Sequence, residues 1–530
     1  MEMMKTNKII YSALVLAVST LSLSSCNDYL DTLPDNRTPI DTEQKVAQLL
    51  VTAYPDISNM LLNETMSDNA DYYGDKNPNG ERVGDQMYFW QDVTEADNEA
   101  PLNIWQSCYS AIANANQALA SIEEMGGATT SSLRTSKAEA LLCRAYSHFL
   151  LVNEFCKHYN TETGKTDLGI PYLDKVEMIL DHTDRGNVAD VYARIDKDIQ
   201  EALPLVSNDY NVPKYHFNKN AAYAFAARFY LYYEKWDQVV KYADMCLGEN
   251  PASSLRDWKA MGALTSDFDA IAQYYVGADL SSNLLLSTYI SSTGLYFGPY
   301  VYFKRYSHGT YLSKNEDLTA ANVWGKGKYY YQPFIRNGNN FDLAQIWKLP
   351  YMFEYKDPVA RTGLAHTVSV VFSTDELLLN RAEAYIMQKQ YDKALADLNL
   401  WMHNIIDTET VLTTESIQKF YNSVTYSYSD AKKMLSTVKK HLNPVFAIDA
   451  EGSVQETMLQ CVLGFRRIET LHQGLRWFDV KRYGIEIVRR LMGPAGTPVE
   501  LLDVLKKDDL RRAVQIPLDI REAGLKANPR

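Results

Sequence analysis

Two stretches of the chain carry one hydrophobic pattern. "AAYAFAARFYLYYEKWDQVVKYADMCL" and "LLLNRAEAYIMQKQYDKALADLNLWM" superpose when Trp236 is matched to Tyr391. Ala227 then meets Ala382, Tyr230 meets Tyr385 and Val240 meets Leu395. Each stretch places apolar residues at helical spacing, breaks at "EKWD" or "KQYD", and resumes with a second apolar stripe. This pattern predicts helical hairpins of the tetratricopeptide type, in which small alanines let paired helices approach and the aromatic after the break fills the turn. A further helix is predicted over "AEALLCRAYSHFLLVNEF", where Leu142, Ala145, Phe149 and Val152 fall on one face. A degenerate array of such hairpins is expected over residues 100–250 and again over 375–405.

Elsewhere the period is lost. Residues 281–312 and 323–356 are rich in aromatics, Gly, Pro and Asn, and residues 62–100 have the same character. They read as long loops with short strands, and structureless loops of that length are usually functional. The predicted fold is therefore mainly α: tetratricopeptide-like hairpins form a scaffold, and long irregular aromatic-rich loops with short strands decorate it.

The N-terminus changes the picture by naming a compartment. Lys5 and Lys8 precede "IIYSALVLAV", a run too short to span a bilayer but suited to the apolar region of a secretory signal. It leads into Leu23, Ser24, Ser25 and Cys26, which look like a bacterial lipobox with Cys26 as the lipid-bearing first residue. The alternative is an ordinary signal cut with Cys26 a chance thiol. One lipidated residue anchors a chain without spanning the membrane. The acidic residues Asp28 and Asp31 follow directly, in "NDYLD".

Composition narrows the function classes. The chain has 530 residues, 46% hydrophobic and 22% charged, as expected of an ordered globular protein. A formal charge of −13 argues against nucleic acid as a partner, because phosphates require dense Lys and Arg. Cys108, Cys143, Cys156, Cys246 and Cys461 show no paired spacing and read as buried free thiols. The outlier is Tyr, at 37 residues, a side chain with a flat apolar face and a polar tip.

Two segments are candidates for chemistry. "GFRRIETLHQGLRWFDVKRYG" gathers Arg467, Glu469, His472, Arg476, Asp479 and Arg482. If helical throughout, it sets Glu469, Gln473, Arg476 and Asp479 on one strip, a brace rather than an active site. "DKNPNGERVGDQ" places Asp75, Asn77 and Asn79 at alternate positions before Gly80, the opening of an EF-hand calcium loop. Gln86 stands where the bidentate Glu is needed and Pro78 stiffens the turn, so an Asn-Gly surface turn competes with the calcium reading. The chain contains no G-x-S-x-G elbow, H-E-x-x-H or G-x4-G-K-[ST] phosphate loop. Paired carboxylates for glycoside hydrolysis depend on three-dimensional separation and stay open at this level.

Several motifs, in order, resemble the SusD-like (RagB/SusD) outer-membrane lipoproteins along nearly all of the mature chain. After the lipobox comes "WQSCYSAIANANQALASI", similar to the family's W-x3-Y-x2-I-x2-A-N-x2-L helix through Trp105, Tyr109, Ile112, Ala115, Asn116 and Leu119. A helix and G-x-P exit follow at Gly169, Ile170 and Pro171, then "DVYARIDKDIQEALPLV" with Ile199 replacing the family's leucine. "ELLLNRAEAYI", "RRIETLHQGLRWFDVKRYG" and the tail "VQIPLDIREAGLKANPR" complete the set. The signature is altered at Thr470 and at Gln473, where the family has glutamate, a change a brace tolerates better than a catalytic site.

The resemblance implies a binding protein, not an enzyme: a surface-exposed lipoprotein that captures oligosaccharides, or in some members peptides, and passes them to a SusC-like TonB-dependent transporter in the outer membrane. It implies residues 1–25 as signal peptide, 26–250 as the N-terminal part, and 251–530 as the C-terminal part. The latter holds a loop-rich insert over 251–370, the helix pair over 375–405 and the signature and tail over 461–530. A glycan-degrading enzyme and a tetratricopeptide scaffold for a protein tail are the competing classes.

The family's shared motifs do not carry the ligand site, so its candidates come from chemistry. A pyranose needs exposed aromatic rings with amides, carboxylates or guanidinium groups beside them. Three loop regions offer that mixture: Tyr72 and Tyr73 beside Asp71, then Trp90 with Asn98; Tyr296 and Tyr300 with Arg305; and Trp324. At least two of these aromatics are expected to form a platform.

Overall fold

The structure, a computed structural model, describes residues 39–75, 77, 82–176, 184–264, 267–338, 341–494 and 496–530. The lipobox with Cys26, the acidic residues Asp28 and Asp31, and Asn79 lie outside the described residues. Among the described residues, no helix is long and apolar enough to cross a membrane.

The N-terminal part contains α1 (Glu43–Leu50), α2 (Met60–Met66), β1 (Asp71–Tyr72) and α3 (Arg82–Tyr88). The long hairpin α4 (Pro101–Glu124) and α5 (Ser131–Phe155) follows, then α6 (Val188–Ala202), α7 (Lys219–Tyr232) and α8 (Trp236–Leu247). The middle part holds α9 (Trp258–Gly262), α10 (Phe268–Tyr275), β2 (Asn283–Ile290), α11 (Thr293–Tyr296), β3 (Tyr306–Ser307) and α12 (Thr310–Asn315). It continues through β4 (Lys328–Tyr329), β5 (Phe334–Gly338), β6 (Phe341–Gln345), β7 (Met352–Asp357) and β8 (Thr362–Ser373). The remainder comprises α13 (Thr374–Met387), α14 (Tyr391–Ile405), β9 (Ile406–Asp407), α15 (Thr414–Ser423), α16 (Val454–Glu469), α17 (Leu475–Arg482), β10 (Ile487–Met492), β11 (Pro498–Leu505) and α18 (Leu518–Glu522).

The repeated pattern forms the two hairpins it predicts. Trp236 and Tyr391, the matched residues, are the first residues of α8 and α14. The turns before them are also equivalent: Glu234 and Lys389 both take the left-handed conformation, with φ of 60° and 58°. Ala227 and Ala382 are fully buried, and α8 packs on α13, so the two hairpins stack although they are far apart in sequence. In α5, burial extends well beyond the predicted face to Glu139, Arg144, His148 and Glu154, because α1, α4, α6 and α7 pack around it.

The family-like motifs have structural jobs. Tyr109 donates its hydroxyl to the Pro171 carbonyl at 2.7 Å and Asn116 its amide to Leu173 at 3.1 Å, so α4 clamps the exit segment after α5. Gly169 lies against the returning chain, where a Cβ would stand 2.8 Å from the Asn187 backbone. Near the C-terminus, Asn528 ties the tail to the end of α5 by donating to the Phe155 carbonyl at 2.8 Å. Cys108, Cys143, Cys156 and Cys461 are buried free thiols, and Cys246 is partly buried.

Two readings of local structure are corrected. The segments over 62–100, 281–312 and 323–356 hold the expected short strands but also the helices α3, α11 and α12, and β2 and β7 join β8 beyond them in an antiparallel sheet in the order β2-β8-β7. The signature segment is not one continuous helix: α16 ends at Glu469 and α17 begins at Leu475. Between them His472 and Gly474 are left-handed, with φ of 71° and 77°, so Glu469 and Gln473 do not share a strip with Arg476 and Asp479. The break fits a close approach, since a Cβ on Gly474 would stand 3.0 Å from the Met60 Cα of α2. The Gly474 amide donates to Glu64 Oε1 at 2.9 Å.

The signature is nevertheless a brace. Arg476 grips Asp68 with Nε and Nη2 at 2.7 and 2.8 Å, and Arg467 donates to Glu316 at 2.7 Å and to Asn69 at 2.9 Å. Arg466 holds Asp479 at 3.0 Å, while Arg482 joins Asp479 at 2.9 Å and also donates to Glu383. All these charges are buried. Such pairs are costly to desolvate and costlier to break, so they fix how α2, α13, α16 and α17 meet.

Candidate functional site

The strand pair β1–β3 brings the first two predicted loops together. Tyr72 pairs with Tyr306 across the ladder, and the Tyr73 amide donates to the Arg305 carbonyl at 2.8 Å. The Tyr72 ring stacks on Tyr306 at 5.5 Å and meets the edge of Phe89 at 6.0 Å. Tyr72 donates its hydroxyl to Asp75; burial, aided by that carboxylate, pushes the phenol up, so it stays a neutral donor at physiological pH.

Arg305 lies beside this group. Its Nη1 donates to both carboxylate oxygens of Asp85 at 3.0 and 2.9 Å, and Tyr306 donates its hydroxyl to the same carboxylate. The buried Arg305 Nε has no hydrogen-bond acceptor among the described residues. Tyr73 reaches the other way: its hydroxyl donates to Asp342 at 3.1 Å, and Thr310 donates to that carboxylate through its amide at 2.9 Å and its hydroxyl at 2.8 Å. Gly309 is required beneath, where a Cβ would overlap the Tyr73 hydroxyl.

Asp342 adjoins Phe341, and there the surface opens. Tyr302 and Phe303 each meet the Phe341 ring edge-on at 5.7 Å, and they remain 40% and 45% exposed. The adjoining Lys304 is buried and donates to the Gly298 carbonyl at 2.8 Å and to the Tyr296 carbonyl; burial pushes its ammonium down to about 7. Beyond it, Tyr300 donates to Asp269 at 2.6 Å and packs on Phe268 and Tyr351 at 5.1 and 5.3 Å. Residues 300–306 thus present an aromatic ledge, Tyr302 and Phe303 over Phe341, and run on in the chain to Arg305, held by Asp85, and Tyr306, which stacks on Tyr72.

Of the predicted ligand residues, Tyr72, Tyr73, Tyr300 and Arg305 lie in or beside this ledge, and Tyr296 supports it through its carbonyl. Asn98 is exposed on a separate loop. Trp90 and Trp324 present no face to a ligand: they are 2% and 4% exposed. Trp90 donates Nε1 to the Met66 carbonyl at 2.9 Å and lies under the Arg489 guanidinium at 4.1 Å, while Trp324 packs on Phe465 at 5.8 Å. Tyr302, Phe303 and Phe341 are absent from the sequence-derived candidates; the signal for the first two is the aromatic run "YVYFKRY", which has no core-like period.

Of the calcium candidates, Asp75 is exposed and accepts the Tyr72 hydroxyl. Asn77 is buried and donates its amide to the Tyr73 carbonyl at 2.9 Å, and Asn79 lies outside the described residues. Among the described residues, no group of three or more His, Cys, Asp or Glu is arranged to hold a metal ion.

Comparison with known proteins follows the fold. Residues 28–231 match the SusD-like_3 family, described as "Starch-binding associating with outer membrane". No curated protein matches the chain. The fold is similar to the crystal structure of a SusD superfamily protein from Bacteroides thetaiotaomicron VPI-5482, with a TM-score of 0.62 and 18% identity over 92% of this chain and 100% of that one. A putative sugar binding protein from Bacteroides vulgatus ATCC 8482 matches with a TM-score of 0.62 and 18% identity over 93% and 99% of the two chains. A SusD-like carbohydrate binding protein from the same organism has a TM-score of 0.57 and 14% identity over 91% and 97%. The chain thus has the mainly helical fold of the SusD superfamily along nearly its whole length, and its N-terminal 28–231 segment carries the SusD-like family's sequence pattern.

Proposed function

We propose that the protein is a lipid-anchored, outward-facing protein of the outer membrane that binds an oligosaccharide on the aromatic ledge and passes it to a SusC-like TonB-dependent transporter. One observation carries the binding reading: Tyr302 and Phe303 stand 40% and 45% exposed over Phe341, in the same short segment as Arg305. Flat rings bind the C–H face of a pyranose, and polar groups of the same segment, Arg305 among them, are the candidates for its rim hydroxyls. The matched family's description and the sugar-binding relatives support the ligand class and the membrane association. The lipobox at Cys26 supports the anchor.

The ledge suits capture rather than hydrolysis, because its acids already have partners. Asp85 is held by Arg305 and Tyr306, and Asp342 by Tyr73 and Thr310. The test is a glycan array followed by calorimetry on Tyr302→Ala and Phe303→Ala. Each substitution is expected to weaken binding by about 1–3 kcal/mol, the scale of one lost apolar contact, with the melting temperature unchanged. Undiminished affinity in well-folded variants would place the ligand elsewhere.

A further inference from the structure

A second concave site lies apart from the ledge and shares no lining residue with it. It is a cleft of about 480 Å³ between the hairpin over 427–439 and the ends of β10 and β11, within the range of small-ligand sites. Its walls carry Lys433, Lys440, Lys506 and Lys507 with His441, against Glu486 and Asp508, and Glu316 and Glu451 stand behind Lys440 and His441 at 2.8 and 2.7 Å. Lys506 and Lys507 are the charges left over, set at the rim of a concave wall in a chain of net charge −13.

The cations differ in what they can do. Lys440 is buried, with Nζ fixed between Glu316 at 2.8 Å and the Tyr428 hydroxyl at 3.1 Å, so it shapes the wall. Lys433 is paired with Glu486 at 2.7 Å. Lys506 and Lys507 are exposed and have no carboxylate partner among the described residues.

The hairpin wall is also built ahead of any ligand. Tyr428 and Lys433, neither of them glycine, take left-handed backbone angles of 62° and 54°, a conformation such residues hold only where the surroundings impose it. The Tyr428 amide donates to Leu435 at 2.8 Å, the Ser427 amide to Lys439 at 2.9 Å, and the Asp430 carboxylate accepts the Leu435 amide at 2.7 Å.

We infer that this cleft is an anion site that takes the carboxylate or sulfate ester of an acidic sugar, with Lys506 and Lys507 as its principal charges. That the ligand is a sugar rests on the functional reading above; that the cleft binds an anion does not. The test is calorimetry on the purified full-length protein with trigalacturonate, a sulfated oligosaccharide and a neutral galacto-oligosaccharide of the same length, at low and high salt. The expected result is salt-sensitive binding of an anionic probe, weakened about tenfold in Lys506→Gln/Lys507→Gln as two exposed charges are lost. Binding of trigalacturonate alone assigns the carboxylate, and of the sulfated probe alone the sulfate ester. Absence of binding by both, or equal affinity in the lysine variant, overturns the inference whether or not neutral glycans bind the ledge.

Discussion

Trp90 and Phe303 are both aromatics in irregular segments, and they meet opposite fates. Trp90 takes a left-handed backbone angle of 53° and is buried between Arg489 and Arg511, whereas Phe303 sits 45% exposed on Phe341. Nothing in the local sequence separates them, because inside and outside can be read from a periodic pattern and these segments have none. The difference is testable. Trp90→Ala should cost about 3–5 kcal/mol of stability in denaturant titration, the range for an emptied aromatic core site, and Trp324→Ala should behave likewise. Surviving folded protein should keep its glycan affinity. Glu99 gives a second prediction at this scale. Its buried carboxylate accepts from Ser291 at 2.6 Å, Thr293 at 3.0 Å and Ser58 at 3.2 Å, with no ion-pair partner among the described residues, and burial pushes it up to about 7. The folded form therefore binds more protons than the unfolded chain between the ordinary value of 4.5 and about 7. This contribution to stability is fully present below 4.5 and is lost as pH rises through about 7. Glu99→Gln should remove it, flattening the fall in unfolding midpoint between those pH values by no more than about 3 kcal/mol. An equal slope in the variant would contradict the assignment.

The elements were legible where a period ran unbroken and opaque where tertiary contact interrupted it. The α7–α8 and α13–α14 hairpins could be aligned residue by residue, down to the two left-handed turn positions, because each places its apolar stripe without help from distant chain. The break between α16 and α17 could not be read, because it depends on α2 lying against Gly474. The sheet partners β2 and β8 were also hidden, since their register is a long-range property and their residues sit within aromatic-rich surroundings. The brace spans these two cases. Its composition identified it, but its partners Asp68, Asn69, Glu316 and Glu383 lie far away in sequence. Arg476→Ala should therefore leave the Asp68 carboxylate buried without its bidentate partner and cost about 3–5 kcal/mol, seen as lost folded yield and a lower denaturant midpoint. Loss of glycan binding at an unchanged midpoint would mean that the signature touches ligand after all.

At the scale of the whole molecule, the helical frame and the irregular loops divide the work. Stacked hairpins and buried arginines fix the frame, while β1 and β3, joined to it through β10 and Asp71–Arg490, carry the ledge to the surface. The fold class was readable from pattern and motif order, but only part of the site was. Tyr72, Tyr73, Tyr300 and Arg305 are named by their chemistry alone, whereas the exposure of Tyr302 and Phe303 over Phe341 depends on how the chain folds. The proposed anchor gives a prediction at this scale: Cys26→Ala should move the protein from the membrane fraction to the soluble fraction, as followed by fractionation and immunoblot. Retention in the membrane would contradict lipid tethering at that residue. Whether a glycan is held on the ledge can be read from a crystal structure of the protein with an oligosaccharide identified by the glycan array. A sugar ring is expected over Tyr302 and Phe303, with hydroxyls toward Arg305. A sugar bound elsewhere, with those rings bare, would contradict it.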